Sequence, residues 1–93
     1  MHTSQPEPTD DEYELALLGR AVRDVRQRRH MSSSELASRS GVARARIDAL
    51  EAGRLDPTYD LLVAVAHGLD VQLAAFATRV EELKRDSGAR EPE

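Results

Sequence analysis

Two glycines, Gly41 and Gly53, divide the middle of this chain so tightly that only short helices fit before and between them. The run Ser32-Ser33-Ser34-Glu35 has the form of a capping box, in which the Ser32 hydroxyl accepts from the Glu35 amide and Glu35 reaches back. Met31 before the cap and Leu36 four residues into the helix have the spacing of a hydrophobic staple. The pattern predicts a helix over about 33–40, stopped by Gly41 in a left-handed C-terminal conformation. Val42 and Ile47 repeat the staple spacing, and Gly53 follows Ala52, which predicts a second helix over about 44–52.

The flanks read as helix too. Leu15, Leu18, Val22 and Val25 recur at helical spacing, placing a first helix at about 12–29. Asp56-Pro57-Thr58 reads as a loop and helix start, because proline disfavours helix in the residue before it. Leu61, Leu62, Val65, Ala66 and Leu69 form the apolar face of a fourth helix at about 59–69. Asp70 suits a left-handed turn. Leu73, Phe76, Val80 and Leu83 line a fifth helix at about 73–85. No strand-like alternation and no internal repeat is present, so the fold class is all-α with five helices. The folded domain is expected to span residues 12–86. Residues 1–11, with Pro6, Pro8 and little that is apolar, are expected to be a disordered acidic tail, and the polar residues 87–93 a second one.

Composition removes several classes of function. Ninety-three residues make one domain, and a core this small commonly gains stability by pairing with a copy of itself. Without cysteine there is neither a disulfide framework nor a thiolate metal site. The apolar runs are too short for a membrane helix, and the acidic N-terminus is unlike a secretory signal, so a cytoplasmic protein without membrane contact is expected. His2, His30 and His67 lack metal-ligand spacing, and Ser32 is a cap with no His–carboxylate arrangement beside it. With no paired carboxylates and no phosphate-cradling glycine loop either, no enzyme activity and no cofactor are expected.

The net charge of −4 is unevenly distributed. Residues 1–14 carry −5, residues 15–54 carry +5 with nine arginines, and residues 55–93 carry −4. Positive charge is thus gathered around the two short helices, as a nucleic-acid face requires.

Two short helices joined by a turn centred on glycine have helix-turn-helix geometry, in which the second helix enters the major groove of DNA. Its N-terminal half here reads Ala43-Arg44-Ala45-Arg46-Ile47-Asp48. Ile47 and Leu50 face the core by spacing; Arg44, Ala45, Asp48 and Ala49 face outward, with Arg46 toward one flank. Two arginines at a helix start oppose the helix dipole, and a phosphate or base edge brought there relieves the conflict.

These residues resemble a known family. Leu18-Gly19, Arg23, Arg26, Met31-Ser32 to Leu36-Ala37, Gly41-Val42, Ile47, Glu51-x-Gly53, Pro57, Leu62, Ala66, Leu69 and Val71 match the lambda-repressor-like helix-turn-helix domain of the Xre/Cro type. The resemblance covers residues 17–77. It implies that Arg44, Ala45, Asp48 and Ala49 lie where bases are read, with Arg44 the donor to a guanine. It implies phosphate contacts for Ser33, Arg46, Arg54 and the backbone amides opening the second helix. It implies a structural salt bridge between Arg26 and Glu51. The chain departs from the family at Ala43, where Ser or Thr is usual, and at Ser33, where Gln often braces the reading side chain.

Arg28, Arg29 and Arg39 read as long-range attraction or solubility, and Arg20 and Arg23 as surface groups. The apolar face of the fifth helix runs past the family's usual end, which makes Phe76, Val80 and Leu83 the expected contact of a two-fold homodimer. The expected function is a sequence-specific DNA-binding transcriptional regulator, a repressor occupying a palindromic operator, with double-stranded DNA as partner. An antitoxin that also neutralises a toxin partner is the alternative within the same fold. A protein-interaction module that does not bind DNA is the rival from another class.

Overall fold

The computed structural model describes residues 10–89, the last three by backbone alone, as five helices without strands. They are α1 (Asp10–Arg28), α2 (Ser33–Ser40), α3 (Arg44–Glu51), α4 (Tyr59–Leu69) and α5 (Ala74–Ala89).

The helix ends follow local chemistry. Ser32 Oγ accepts from the Glu35 amide at 3.0 Å, while the Glu35 carboxylate lies 3.9 Å from Arg39 on the next turn. Thr58 Oγ1 caps α4 in the same way, from the Leu61 amide at 3.1 Å. Gly41 closes α2 at φ 74°, a left-handed conformation that its missing Cβ makes accessible, and Asp70 closes α4 at φ 60°. His30, also at positive φ (56°), turns the chain from α1 into α2.

Both outer boundaries differ from expectation. Asp10 and Asp11, expected in the disordered tail, form the first turn of α1 with Glu12, where carboxylates complement the positive end of the helix dipole. The fifth helix continues to Ala89, beyond its expected end and into the expected C-terminal tail. Residues 1–9 and 90–93, on which the rest of the tail expectation falls, lie outside the described residues.

The main core gathers Val22, Leu36, Ile47, Leu50, Leu69 and Phe76 from all five helices, each nearly inaccessible to solvent. Met31 and Leu36 of the first staple, and Val42 and Ile47 of the second, are all members of it. α1 packs against α5 and α3, α2 packs against α4 and α3, and α4 and α5 meet at a 95° bend. A smaller cluster of Leu17, Ala21 and Leu83, with Val80 packed on it, joins the middle of α1 to the middle of α5.

That cluster takes up part of the expected dimer contact. Phe76 is 2% exposed and Leu83 4%, and Val80 is half-buried, all within the protomer. Leu17 and Ala21 of α1 cover Leu83, while Val80 keeps part of its surface exposed.

The approach of α1 to α3 is close enough to dictate a residue type. A Cβ on Gly19 would lie 2.5 Å from the Leu50 carbonyl oxygen and 2.6 Å from that of Glu51, so only glycine fits. The C-terminal end of α3 is thereby seated directly on α1.

Candidate nucleic-acid interface

The α3 helix buries Ile47 and Leu50 and turns Arg44, Ala45, Arg46 and Asp48 to solvent, with Ala49 half-buried. Its N-cap, Ala43, has extended backbone angles (φ −58°, ψ 140°) but offers no side-chain acceptor to the first turn. Two arginines therefore stand at an uncapped positive helix end, an arrangement that favours an incoming anion.

Arg44 is held from two sides. Its Nη1 donates to Ser34 Oγ on α2 at 3.0 Å, and its Nε lies 3.7 Å from Asp48 Oδ2, one turn further along α3. The bracing group is Ser34 rather than Ser33, the position the resemblance singled out. Ser33 is half-buried at the opening of α2, where the amides of Ser33 and Ser34 precede the first intrahelical bond, from Leu36 to the Ser32 carbonyl. Arg46 and Arg54 are exposed, Arg54 just beyond the left-handed Gly53.

Glu51 fixes α3 from behind. Arg26 donates to it from Nε at 2.6 Å and from Nη2 at the other carboxylate oxygen at 2.8 Å, with side-chain exposures of 12% and 6%. The third arm, Arg26 Nη1, donates to the Met31 carbonyl at 2.9 Å, so one guanidinium ties α1, the α1–α2 turn and α3 together. The hydrogen bonds it donates to Glu51 hold the Arg26 guanidinium above its ordinary pKa, outweighing the opposing effect of burial. Arg23, expected only as a surface group, is largely exposed but reaches within 3.9 Å of Glu51.

Several residues have roles their spacing did not signal. Arg29 donates to the Leu69 and Asp70 carbonyls at 3.1 and 3.2 Å, satisfying the C-terminal end of α4 instead of facing solvent as a free charge. Arg79 donates to Asp24 and to Glu82, both at 3.0 Å, and Lys84 lies 3.0 Å from Glu14; both cations link α5 to α1. Partners so distant in sequence leave no local pattern to read.

A short capped helix, a glycine turn and an arginine-bearing second helix packed on a three-helix scaffold define a helix-turn-helix protein of the transcription-regulator class. The HTH_3 helix-turn-helix family model matches residues 22–76, more than half of the chain, and the chain belongs to that family. Among solved structures it is similar to the clp gene regulator ClgR from C. glutamicum, at 29% identity and TM-score 0.72 over 85% of this chain and 96% of that one. An HTH_3 family transcriptional regulator from Vibrio cholerae matches at 26% identity and TM-score 0.71 over 81% of this chain, which spans only 43% of that protein. The restriction-modification controller protein C.AhdI from Aeromonas hydrophila shares the fold at 23% identity and TM-score 0.67, over 69% of this chain and 97% of its own. No curated protein sequence matches.

Proposed function

We propose that this chain is a sequence-specific DNA-binding regulator that represses transcription by occupying a palindromic operator as a homodimer. The observation that carries the reading is Arg44, exposed at the start of α3 and in contact with Ser34 and Asp48, with Arg46 exposed on the same helix and Arg54 exposed beyond its far end for phosphates. Two copies related by a two-fold axis would set their α3 helices roughly 34 Å apart, one turn of DNA. With Phe76 and Leu83 interior, the apolar surface left for the second copy includes Tyr59, 70% exposed, and Val63, 38% exposed, one turn apart on α4.

The acidic ends and net charge of −4 favour the second reading, a protein-interaction module that does not bind DNA and whose anionic segments engage a basic partner. Selection of bound sequences from a random DNA pool, with wild type and Arg44→Ala in parallel, separates the two. An enriched palindrome whose specificity relaxes in the variant supports the regulator; no enrichment at low or moderate salt favours the interaction module.

A further inference from the structure

We infer that Asp48 and Ser34 are positioning residues that hold Arg44 in the pose from which it reads a base, and that Asp48 reads none itself. The inference rests on the DNA-binding reading above and assigns its specificity to a three-residue unit. An exposed arginine at a helix start has many rotamers, and each must be given up when it docks on a base edge. Here the guanidinium is held before any DNA arrives. Ser34 Oγ on α2 accepts from Nη1 at 3.0 Å, and Asp48 Oδ2 lies 3.7 Å from Nε. One is a hydrogen bond and the other a longer ionic contact; they come from different helices and meet different edges of one planar group, so together they bias its orientation more than either does alone.

The chemistry left over suits a purine. A guanidinium has five N–H donors. With two directed at Ser34 and Asp48, the others remain for a pair of in-plane acceptors such as O6 and N7 of guanine. Asp48, in contrast, is ill placed to act alone. A carboxylate can accept from a cytosine amino group, but this one already faces a cation, and its charge repels the phosphates on either side of the groove. The Arg44–Asp48 pair is 61% and 52% exposed, so it contributes little to folding. Its removal is expected to leave the fold intact and alter what the protein recognises.

The test measures binding to the selected operator and to each single-base-pair variant of it, at low and moderate salt. The proteins are wild type, Arg44→Ala, Ser34→Ala, Asp48→Asn and the double variant Arg44→Ala/Asp48→Asn, with thermal melting to confirm folding. Arg44→Ala is expected to lose preference on the order of tenfold at one base pair per half-site. Ser34→Ala and Asp48→Asn are expected to lose part of that same preference at the same pair. In the Arg44→Ala background Asp48→Asn adds no further loss, the non-additivity of a residue acting through its neighbour. Asp48→Asn also binds all sequences more tightly at low salt, since a carboxylate has left the phosphate-facing surface. A loss at a different base pair in Asp48→Asn would make Asp48 a direct reader and overturn the inference. Full preference in both Ser34→Ala and Asp48→Asn, alongside its loss in Arg44→Ala, would overturn it equally. If wild type selects no sequence, the DNA-binding reading beneath it fails instead, and the two failures are distinguishable.

Discussion

Glu51 at the end of α3 accepts both Nε and Nη2 of Arg26 on α1, at 2.6 and 2.8 Å, with its side chain only 6% exposed. Because the carboxylate has little water to fall back on, removing one partner strands the other. Arg26→Ala or Glu51→Ala is expected to destabilise the domain by about 3 kcal/mol, read from urea unfolding, whereas Arg26→Met/Glu51→Leu together recovers most of the loss. The pH dependence follows from the raised pKa of Arg26. A base whose folded pKa is raised contributes stability that is present below its unfolded value and is lost only above it, so this contribution stays constant between about pH 6 and pH 9. A stability loss equal in the double and single variants would show that the pair contributes directly, and not only through the charge left stranded when one partner is removed.

At Gly19 sterics are the whole argument. Alanine there places its Cβ 2.5 Å from the Leu50 carbonyl oxygen, so α1 and α3 must separate. The expected loss is about 2 kcal/mol, in spite of alanine's better helix propensity, and α3 shifts against α2. Gly41→Ala, whose Cβ meets nothing within 4 Å, is expected to lose only about 1 kcal/mol, from its positive φ. Thermal melts that rank the two the other way round would contradict the packing account.

The uncapped start of α3 offers a gain. Ala43 already has extended backbone angles, so Ala43→Ser supplies a hydroxyl to the first turn without rearrangement. It is expected to stabilise the domain by about 1 kcal/mol in chemical denaturation. A neutral result would mean the first-turn amides are already well satisfied by water.

These cases mark what was legible in the sequence. Ser32, Gly41, Thr58 and Asp70 act on backbone within a few residues, so helix ends set by local chemistry lie close to where spacing placed them. The Arg26–Glu51 bridge came with the family resemblance, not from local pattern. What was misread depends on distant partners. Periodicity puts Leu15, Leu18, Val22 and Val25 on one face of the first helix, whereas the structure buries Val22 and Val25, leaves Leu15 and Leu18 half-buried, and buries Leu17 and Ala21 against Leu83. A second, narrower stripe made of one leucine and one alanine has little weight in a pattern. It is enough, however, to take Leu83 into the interior. The bracing of Arg44 by Ser34 was missed for a similar reason: three consecutive serines are equivalent in sequence, and only the placement of α2 against α3 selects one of them.

The acidic start of α1 sets up an opposition between folding and DNA affinity. A Cβ at Gly53 would lie 3.0 Å from the Ala16 Cα, so α1 runs past the end of α3 beside Arg54. Asp10 and Asp11 follow about 8–9 Å along the helix axis, close enough to repel a phosphate backbone approaching Arg54. Asp10→Asn/Asp11→Asn is expected to bind non-specific duplex DNA several-fold more tightly at low salt, with the difference closing as salt rises. The same change removes two carboxylates from the positive end of the α1 dipole and is expected to cost about 1 kcal/mol of stability. Deleting residues 1–11 should produce both effects more strongly, since it also removes Glu7. Tighter binding together with a lower melting temperature is the combined signature. A lower melting temperature with unchanged binding at both salts would leave these carboxylates a purely structural role.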